Sequence, residues 1–447
     1  LNVSLLSGDP QGTTLMISGT GFDATTSIYI GNKLCATLTS SETEITCQTP
    51  SYSVWHGKGP VAVKKGSAFA VSEFTFTPEI LLGQFTYTSG LMNHTNTVIP
   101  NASSMRRPYG VESNRSKLVI SDNDNHRILI WNSIPTTFGQ PADVILGQAN
   151  ASGYLCNRGI SVTADSFCLP RDAKIYGNKL IVTDSSNNRV LIWNQFPTSV
   201  SDLPDVVLGQ NDFTSNSPGT TANKFSMPTS LDVDDSGRLY VFDMNNNRML
   251  IWNSIPAINT NPNADIVLGQ ANFTDGCINN CSLSGVLSAS GFYQARGFKI
   301  LPGNRLAVAD FSNNRVLIWN HLPTESNRPA DLVLGQASMT TNTGNYDGIQ
   351  SYTMRWPVDV ASTGDDLWVA DYGNHRVLYW EHFPVTDGQS ATHVFGQNDF
   401  TSGSANMGSG TNKDNLNQPL GLEDIGKDVI VVDGLNNRAK LLINPSN

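Results

Sequence analysis

The chain has 447 residues, of which 39% are hydrophobic and 15% charged, with 38 glycines and 22 prolines. That is a turn-rich composition with room for two or three domains. A net charge of −10 argues against nucleic acid or an anionic membrane surface as a main partner. No run approaches 18 apolar residues, so no membrane insertion is expected.

The sequence opens at Leu1 and reads as a mature or trimmed product. Residues 1–78 alternate apolar and polar positions in short runs at Thr14–Ser18, Ser27–Ile30, Glu44–Cys47, Val61–Lys64 and Phe69–Phe76. Gly and polar turns separate these runs, which predicts a small β-sandwich. Ile17-Ser-Gly-Thr-Gly-Phe22, Ile30-Gly-Asn-Lys-Leu-Cys35 and Cys47-Gln-Thr-Pro50 resemble the IPT/TIG family of immunoglobulin-like domains. The resemblance implies an extracellular spacer or interaction module without chemistry of its own, and a contact available for self-assembly.

From residue 79 onward one phrase recurs six times: an Asp, an Asn-rich turn, an Arg and a Val-Leu-Ile-Trp-like run. The aspartates are Asp122, Asp184, Asp243, Asp310, Asp371 and Asp433; the arginines are Arg127, Arg189, Arg248, Arg315, Arg376 and Arg438. Such a period is one supersecondary unit repeated. One unit, Met227–Val233, Arg238–Asp243, Arg248–Asn253 and Ala264–Gln270, holds four short strands, the content of a propeller blade. Runs such as Val190–Trp193 are apolar on both faces, as expected of blades stacked on both sides.

The Leu/Phe-Gly-Gln strand also occurs six times, ending at Gln84, Gln148, Gln210, Gln270, Gln336 and Gln397. Its first copy, 79–84, precedes every other blade strand, and no copy follows the last Asp433…Arg438 unit. Residues 79–84 are therefore expected to supply the outer strand of the last blade, with Glu79 in the place of Asp143, and to close the ring. The Gly-x-Leu-x-Val-x-Asp and Asn-Asn/His-Arg-Val pattern resembles the NHL-repeat family of β-propellers over 79–447. In the sixth copy Leu442 stands near the place of Trp131, Trp193, Trp252, Trp319 and Trp380. The fold expected is all-β: a sandwich over 1–78 and a six-bladed propeller over 79–447.

The six cysteines form three sequence-local pairs, Cys35 with Cys47, Cys156 with Cys168 and Cys277 with Cys281. None has metal-ligand spacing, so they are read as disulfides, which places the chain outside the cytoplasm: extracellular, cell-surface or periplasmic. Seven Asn-x-Ser/Thr sequons are what so Asn-, Ser- and Thr-rich a chain gives by composition, and they assign nothing.

A residue recurring in all six blades points to scaffold. The repeat Asp and Arg are expected to pair across the turn, with Asn side chains satisfying turn backbone groups. The oxygen-rich turn Asp122-Asn-Asp-Asn125 would alternatively hold a structural calcium. His126 and His375 fill a turn slot held elsewhere by Asn188, Asn247, Asn314 and Asn437. His321 and His382 fall on the opposite face, so no catalytic metal centre is read from them. No nucleophile elbow, zincin helix or phosphate loop occurs, and neither cofactor nor catalytic residue is assigned.

The connectors after each Gly-Gln run to roughly 18–26 residues, a length at which loops are usually functional. All six emerge on one face, and two carry the Cys156–Cys168 and Cys277–Cys281 staples. Where they enter the inner strands the sequence stops repeating. Arg106, Arg107, Tyr109, Arg171, Arg296, Arg355 and Trp356 then fall near one channel mouth, as a candidate site for a carboxylate, a sulfate or an acidic sugar. The competing reading has these arginines cap inner-strand carbonyls or pair with Asp172 and Asp359. The function expected is a non-enzymatic recognition or scaffold protein that binds a protein or glycan through the long-loop face. The alternatives are a propeller lyase or hydrolase at the channel mouth, or a structural subunit of a surface filament.

Overall fold

The structure is a computed structural model that describes residues 2–8, 14–30, 33–48, 57–76, 80–281, 287–443 and 445. It divides into two compact units. The first holds seven antiparallel strands: β1 (Asn2–Gly8), β2 (Thr14–Thr20), β3 (Ser27–Ile30), β4 (Lys33–Ser40), β5 (Glu44–Gln48), β6 (Gly57–Lys65) and β7 (Ala68–Phe76). They are hydrogen-bonded in the order β1-β2-β5-β4-β3-β6-β7, and β1 also approaches β7, so the sheet folds over its core. Ile17, Phe22, Ile28, Ile45 and Val63 fill that core beside a Cys35–Cys47 disulfide that bridges β4 to β5.

Two of these strands, β1 and β4, were absent from the sequence reading. In β4 the apolar Leu34 and Leu38 face outward, 59% and 52% exposed, so its alternation does not announce an inward face.

The second unit is a six-bladed propeller of four-stranded antiparallel sheets. Blade 3 shows the pattern: an inner strand Pro228–Val233, then Leu239–Asp243, Arg248–Trp252 and an outer strand Ile266–Leu268. The other inner strands are Val111–Ser113, Pro170–Tyr176, Phe298–Leu301, Pro357–Ala361 and Pro419–Asp424, and each lies beside its neighbours around the axis. β8 (Leu81–Leu82) pairs antiparallel with Arg438–Leu442, so an early segment supplies the outer strand of the last blade. Glu79, the first residue of the expected closing strand, lies outside the described residues.

The core lies between blades. Tyr240, Phe242, Met249 and Ile251 of blade 3 pack against Phe292, Phe298, Leu306 and Trp319 of blade 4, and the same layering recurs at the other blade interfaces described. Each fully buried Leu, Ile or Phe there is worth about 1.5–3 kcal/mol.

The repeated polar residues bolt the loop-bearing face together. In every blade Arg Nε meets the Asp Oδ2 at 2.7–2.9 Å, with both side chains fully buried. The Asp Oδ1 accepts a backbone N–H from the residue just ahead of the inner strand: Arg106, Cys168, Ser226, Tyr293, Arg355 or Asn417. The outer guanidinium nitrogens bind loop carbonyls, as Arg127 does at Ala151, Asn101 and Ser104. The second turn Asn was expected to satisfy turn backbone groups. It donates instead to the Asp carboxylate, as Asn125 does to Asp122. It also pairs amide to amide with a loop Asn: Asn125 with Asn93, Asn187 with Asn157, Asn313 with Asn279, Asn374 with Asn345 and Asn436 with Asn406. The loops therefore hide a repeat of their own.

Blades are also stitched to one another. The last turn residue is left-handed in all six (His126, Asn188, Asn247, Asn314, His375, Asn437). Its side chain accepts a backbone N–H from the next blade: Leu169, Met227, Gln294, Trp356, Gln418 and, across the closure, Arg107. His can replace Asn there because Nδ1 accepts as the amide oxygen does, which gives His126 and His375 a structural role. The Gly-Gln glutamine donates Nε2 to that turn residue's carbonyl and to a loop carbonyl seven residues on, as Gln210 does to Asn188 and Ser217.

Candidate functional site

The residues that receive these stitches form the rim of the channel. Arg107 and Trp356 hold left-handed backbone, with φ of 43° and 56°, because their N–H groups are fixed to Asn437 and Asn314. Arg106 and Arg355 occupy the equivalent preceding position in blades 1 and 5, their N–H groups held by Asp122 and Asp371. Their side chains are thereby aimed from a rigid backbone rather than from a mobile loop.

Two clusters result. Arg171 lies over the Tyr109 ring, 5.1 Å from its centroid, with Nη1 3.5 Å from the Met244 sulfur. Arg296 lies over Phe311 at 3.5 Å; Phe311 stacks on Trp356 at 6.1 Å, and Arg355 sits 4.4 Å over Trp356. Tyr372 flanks Phe311 and donates its hydroxyl to Gln418 Oε1 at 2.6 Å.

Among the described residues, Arg171 Nε, Arg296 Nε and the Tyr109 hydroxyl are buried without a hydrogen-bond partner. Burial, followed by the charges of Arg296 and Arg107, pulls the Arg171 pKa down. Burial raises the Asp124 carboxyl, while Arg107, Arg106 and Arg171 pull it back. Of the seven residues singled out in sequence, Arg171 thus lies close to Tyr109, Arg107 and Arg296, while Arg355 and Trp356 join Arg296 through Phe311. The competing expectation, with Asp172 as the arginines' partner, does not hold: Asp172 Oδ2 accepts from Ser230 Oγ at 2.8 Å and Leu231 N at 3.0 Å, and Asp359 Oδ2 from Leu422 N at 2.8 Å.

Deeper in the channel lies a set of charges that sequence reasoning missed. Ten or eleven residues before each repeat Asp stand Glu112, Lys174, Asp232, Lys299, Ala361 and Glu423. Lys174 bridges Glu112 (3.3 Å) and Asp232 (3.0 Å), and Lys299 bridges Glu423 (2.5 Å) and Glu112 (3.8 Å). Blade 5 supplies only Ala361. Burial opposes charge on Lys174, but Asp232 and Glu112 outweigh it and raise its pKa; Glu423, Asp232 and Glu112 do the same for Lys299. Burial pushes Asp172 up to about 7, and burial plus the Asp172 charge pushes Asp359 up to about 8.

Glycines make room at this tier. A Cβ on Gly297 would stand 2.4 Å from Asp359 Oδ1 and 2.5 Å from the Val358 carbonyl. The signal available in sequence was the charge at a fixed offset from the repeat, inside strands otherwise apolar. Among the described residues no group of three or more His, Cys, Asp or Glu side chains is placed to hold a metal ion, and the Asp122 carboxylate is engaged by Arg127, Asn125 and the Arg106 N–H. Cys156–Cys168 and Cys277–Cys281 form disulfides within their connectors.

Residues 2–78 match the IPT/TIG domain family and residues 354–378 match the NHL repeat. No curated protein matches the chain in sequence. Among solved structures, an auxiliary nutrient binding protein from Bacteroides ovatus is similar at 11% identity, covering 99% of this chain and 97% of its own, with a TM-score of 0.51. An aldose sugar dehydrogenase from Streptomyces coelicolor (12% identity, 76% of this chain and 94% of its own) has a TM-score of 0.42. Virginiamycin B lyase from Staphylococcus aureus (13%, 76% and 96%) has one of 0.38. At these identities the likeness is one of fold.

Proposed function

We propose that this chain is an extracytoplasmic recognition protein that captures an anionic group, a carboxylate or sulfate carried by an acidic glycan, at the arginine-lined mouth of its propeller. The observation that carries this reading is the pair of buried, unpartnered guanidinium nitrogens, Arg171 Nε and Arg296 Nε, beside the Tyr109 hydroxyl. Buried guanidinium nitrogens without a hydrogen-bond acceptor are costly. A planar carboxylate or sulfate answers them with two-pronged hydrogen bonds. Trp356, 37% exposed beside them, offers an apolar surface against which a sugar can pack. The three disulfides support an oxidising compartment, and the first domain serves as spacer or assembly contact.

The test is an array of acidic and neutral glycans and protein ligands, probed with wild type and with an Arg107→Ala/Arg296→Ala/Arg355→Ala variant. Binding to acidic members should fall at least tenfold in the variant and weaken with added salt. Equal binding by the two proteins would eliminate the mouth as the site.

A further inference from the structure

The outer strand of a blade is a sheet edge, with N–H and carbonyl groups that the ladder leaves unpaired. In blades 2, 3 and 4 the connector of the following blade covers that edge. The covering residue stands seven positions after Trp252, Trp319 or Trp380, and is Asn259, Ser326 or Asp387. Each puts a side-chain oxygen on the middle N–H of the outer strand: Asn259 on Val207 at 2.9 Å, Ser326 on Val267 at 3.1 Å and Asp387 on Val333 at 2.9 Å. After Ser326 and Asp387 comes a left-handed residue, Asn327 or Gly388, that donates its N–H to the same valine's carbonyl at 2.8 or 2.9 Å. Val207, Val267 and Val333 are fully buried.

Blade 1 lacks this cover. Seven positions after Trp193 stands Val200, which has no acceptor to offer. The next residue, Ser201, is not left-handed and donates its N–H back to Ser199 Oγ at 3.3 Å. Ile145, the middle residue of the outer strand Val144–Leu146, pairs with Leu129 in the register that Val207 keeps with Leu191, so its N–H and carbonyl also point outward. Among the described residues no hydrogen bond reaches either group. A cleft of about 340 Å³ opens there instead, lined by Ile145, Ala149–Ala151 and Thr198–Val200. Ile145 is partly exposed and Val200 is 41% exposed.

We propose that this cleft docks an exposed turn of a partner protein, one in which an Asp, Asn or Ser is followed by a left-handed Gly or Asn. The chain's own connectors show the fit on the neighbouring blades: a side-chain oxygen for the edge N–H, then an N–H for the edge carbonyl. Gly and Asn are the residues that take left-handed backbone at least cost. An open edge of this kind is a recurrent place for a partner's backbone to add. A second copy is not the occupant, because Asn259, Ser326 and Asp387 are already engaged on their own blades. The arginine mouth takes no part.

The probe is the segment that covers blade 4, Phe383–Ser390, made as a labelled cyclic peptide so that its turn is preformed. Fluorescence anisotropy with the full chain should show binding, at least tenfold weaker for a peptide carrying Asp387→Leu. Two variants of the protein follow. Ile145→Pro removes the outward N–H, a change tolerated at a sheet edge. Val200→Asp/Ser201→Gly rebuilds the missing cover from the chain itself. Both should bind at least tenfold more weakly, and Arg296→Ala should bind as wild type does. Melting temperatures establish folding, with Val200→Asp/Ser201→Gly at or above wild type; should Ile145→Pro fail to fold, the double variant alone decides. The proposal is overturned if wild type does not bind the peptide, if the Asp387→Leu peptide binds equally, or if the double variant binds as wild type does. A wild-type dimer in sedimentation that the double variant loses would also overturn it, since a second copy would then fill the cleft.

Discussion

Arg248 and Arg171 are the same residue type set in the same ring, one belonging to the repeat and the other to the stretch where the repeat breaks. Arg248 gives Nε to Asp243 at 2.9 Å, Nη1 to the Thr220 carbonyl at 2.7 Å, and Nη2 to the Thr221 and Lys224 carbonyls at 3.0 and 2.9 Å. Arg171 has the Tyr109 ring, a methionine sulfur and a buried Nε with no acceptor. A complete acceptor cage marks a residue kept for the fold. A cation held without one is the feature on which the proposed capture of an external anion rests.

The largest test of that contrast is Arg248→Met. It leaves the Asp243 carboxylate buried without its cation, and the expected loss is about 3–5 kcal/mol, read from urea unfolding. A loss under about 1 kcal/mol would mean that the bolt is ornamental.

Next comes pH. The unfolded chain gives up the Asp172 and Asp359 protons near pH 4, whereas the folded protein holds them to about 7 and about 8. These raised carboxyls stabilise the fold most at acid pH, and their contribution is lost as pH rises through 7 and 8. Lys440, brought down to about 7 by burial, contributes with opposite sign, gaining stability as pH rises above 7. The comparison with Asp359→Asn isolates the acid: the variant should gain on wild type between pH 6 and 9. Each kcal/mol is worth about 2–4 °C of Tm for a domain of this class. Parallel melting curves at every pH would rule the effect out.

The smallest effect belongs to the mouth. Arg171→Met and Arg296→Met should leave stability within about 1 kcal/mol of wild type, or raise it, since each removes a cation without an acceptor. A drop of more than about 2 kcal/mol in either would move these arginines into the scaffold class, and the contrast with Arg248 would dissolve.

Blade number and closure were legible in the sequence because a repeat announces itself: six aspartates, six arginines and a Gly-Gln strand displaced to the front of the chain. The arginines of the proposed site stand where that repeat breaks, at Arg107, Arg171, Arg296 and Arg355. The charge ring was not, because it exists only across blades. Glu112 and Lys174 lie 62 residues apart and meet only when two inner strands stand side by side. Nor was the loop asparagine repeat, since Asn93, Asn157 and Asn406 sit in connectors whose other residues share little. Lys440, buried in the last blade's Arg438–Leu442 strand, caps the Lys413 and Asn415 carbonyls with its Nζ at 2.6 and 2.9 Å.

The clasp between β8 and Arg438–Leu442 sets an order of events. Leu81 pairs with Lys440, and Gln84, Tyr87 and Arg107 hold to Asn437 and Arg438. Those partners are the last blade strand to leave the ribosome, so β8 waits unpaired through the synthesis of more than 350 residues. The ring closes late, at the entropic expense of its longest loop. During that wait the outer edge of the nascent propeller is open to another copy of the same strand. A closing strand that pairs only with the last blade is the arrangement in which two copies can exchange strands instead of closing their own rings.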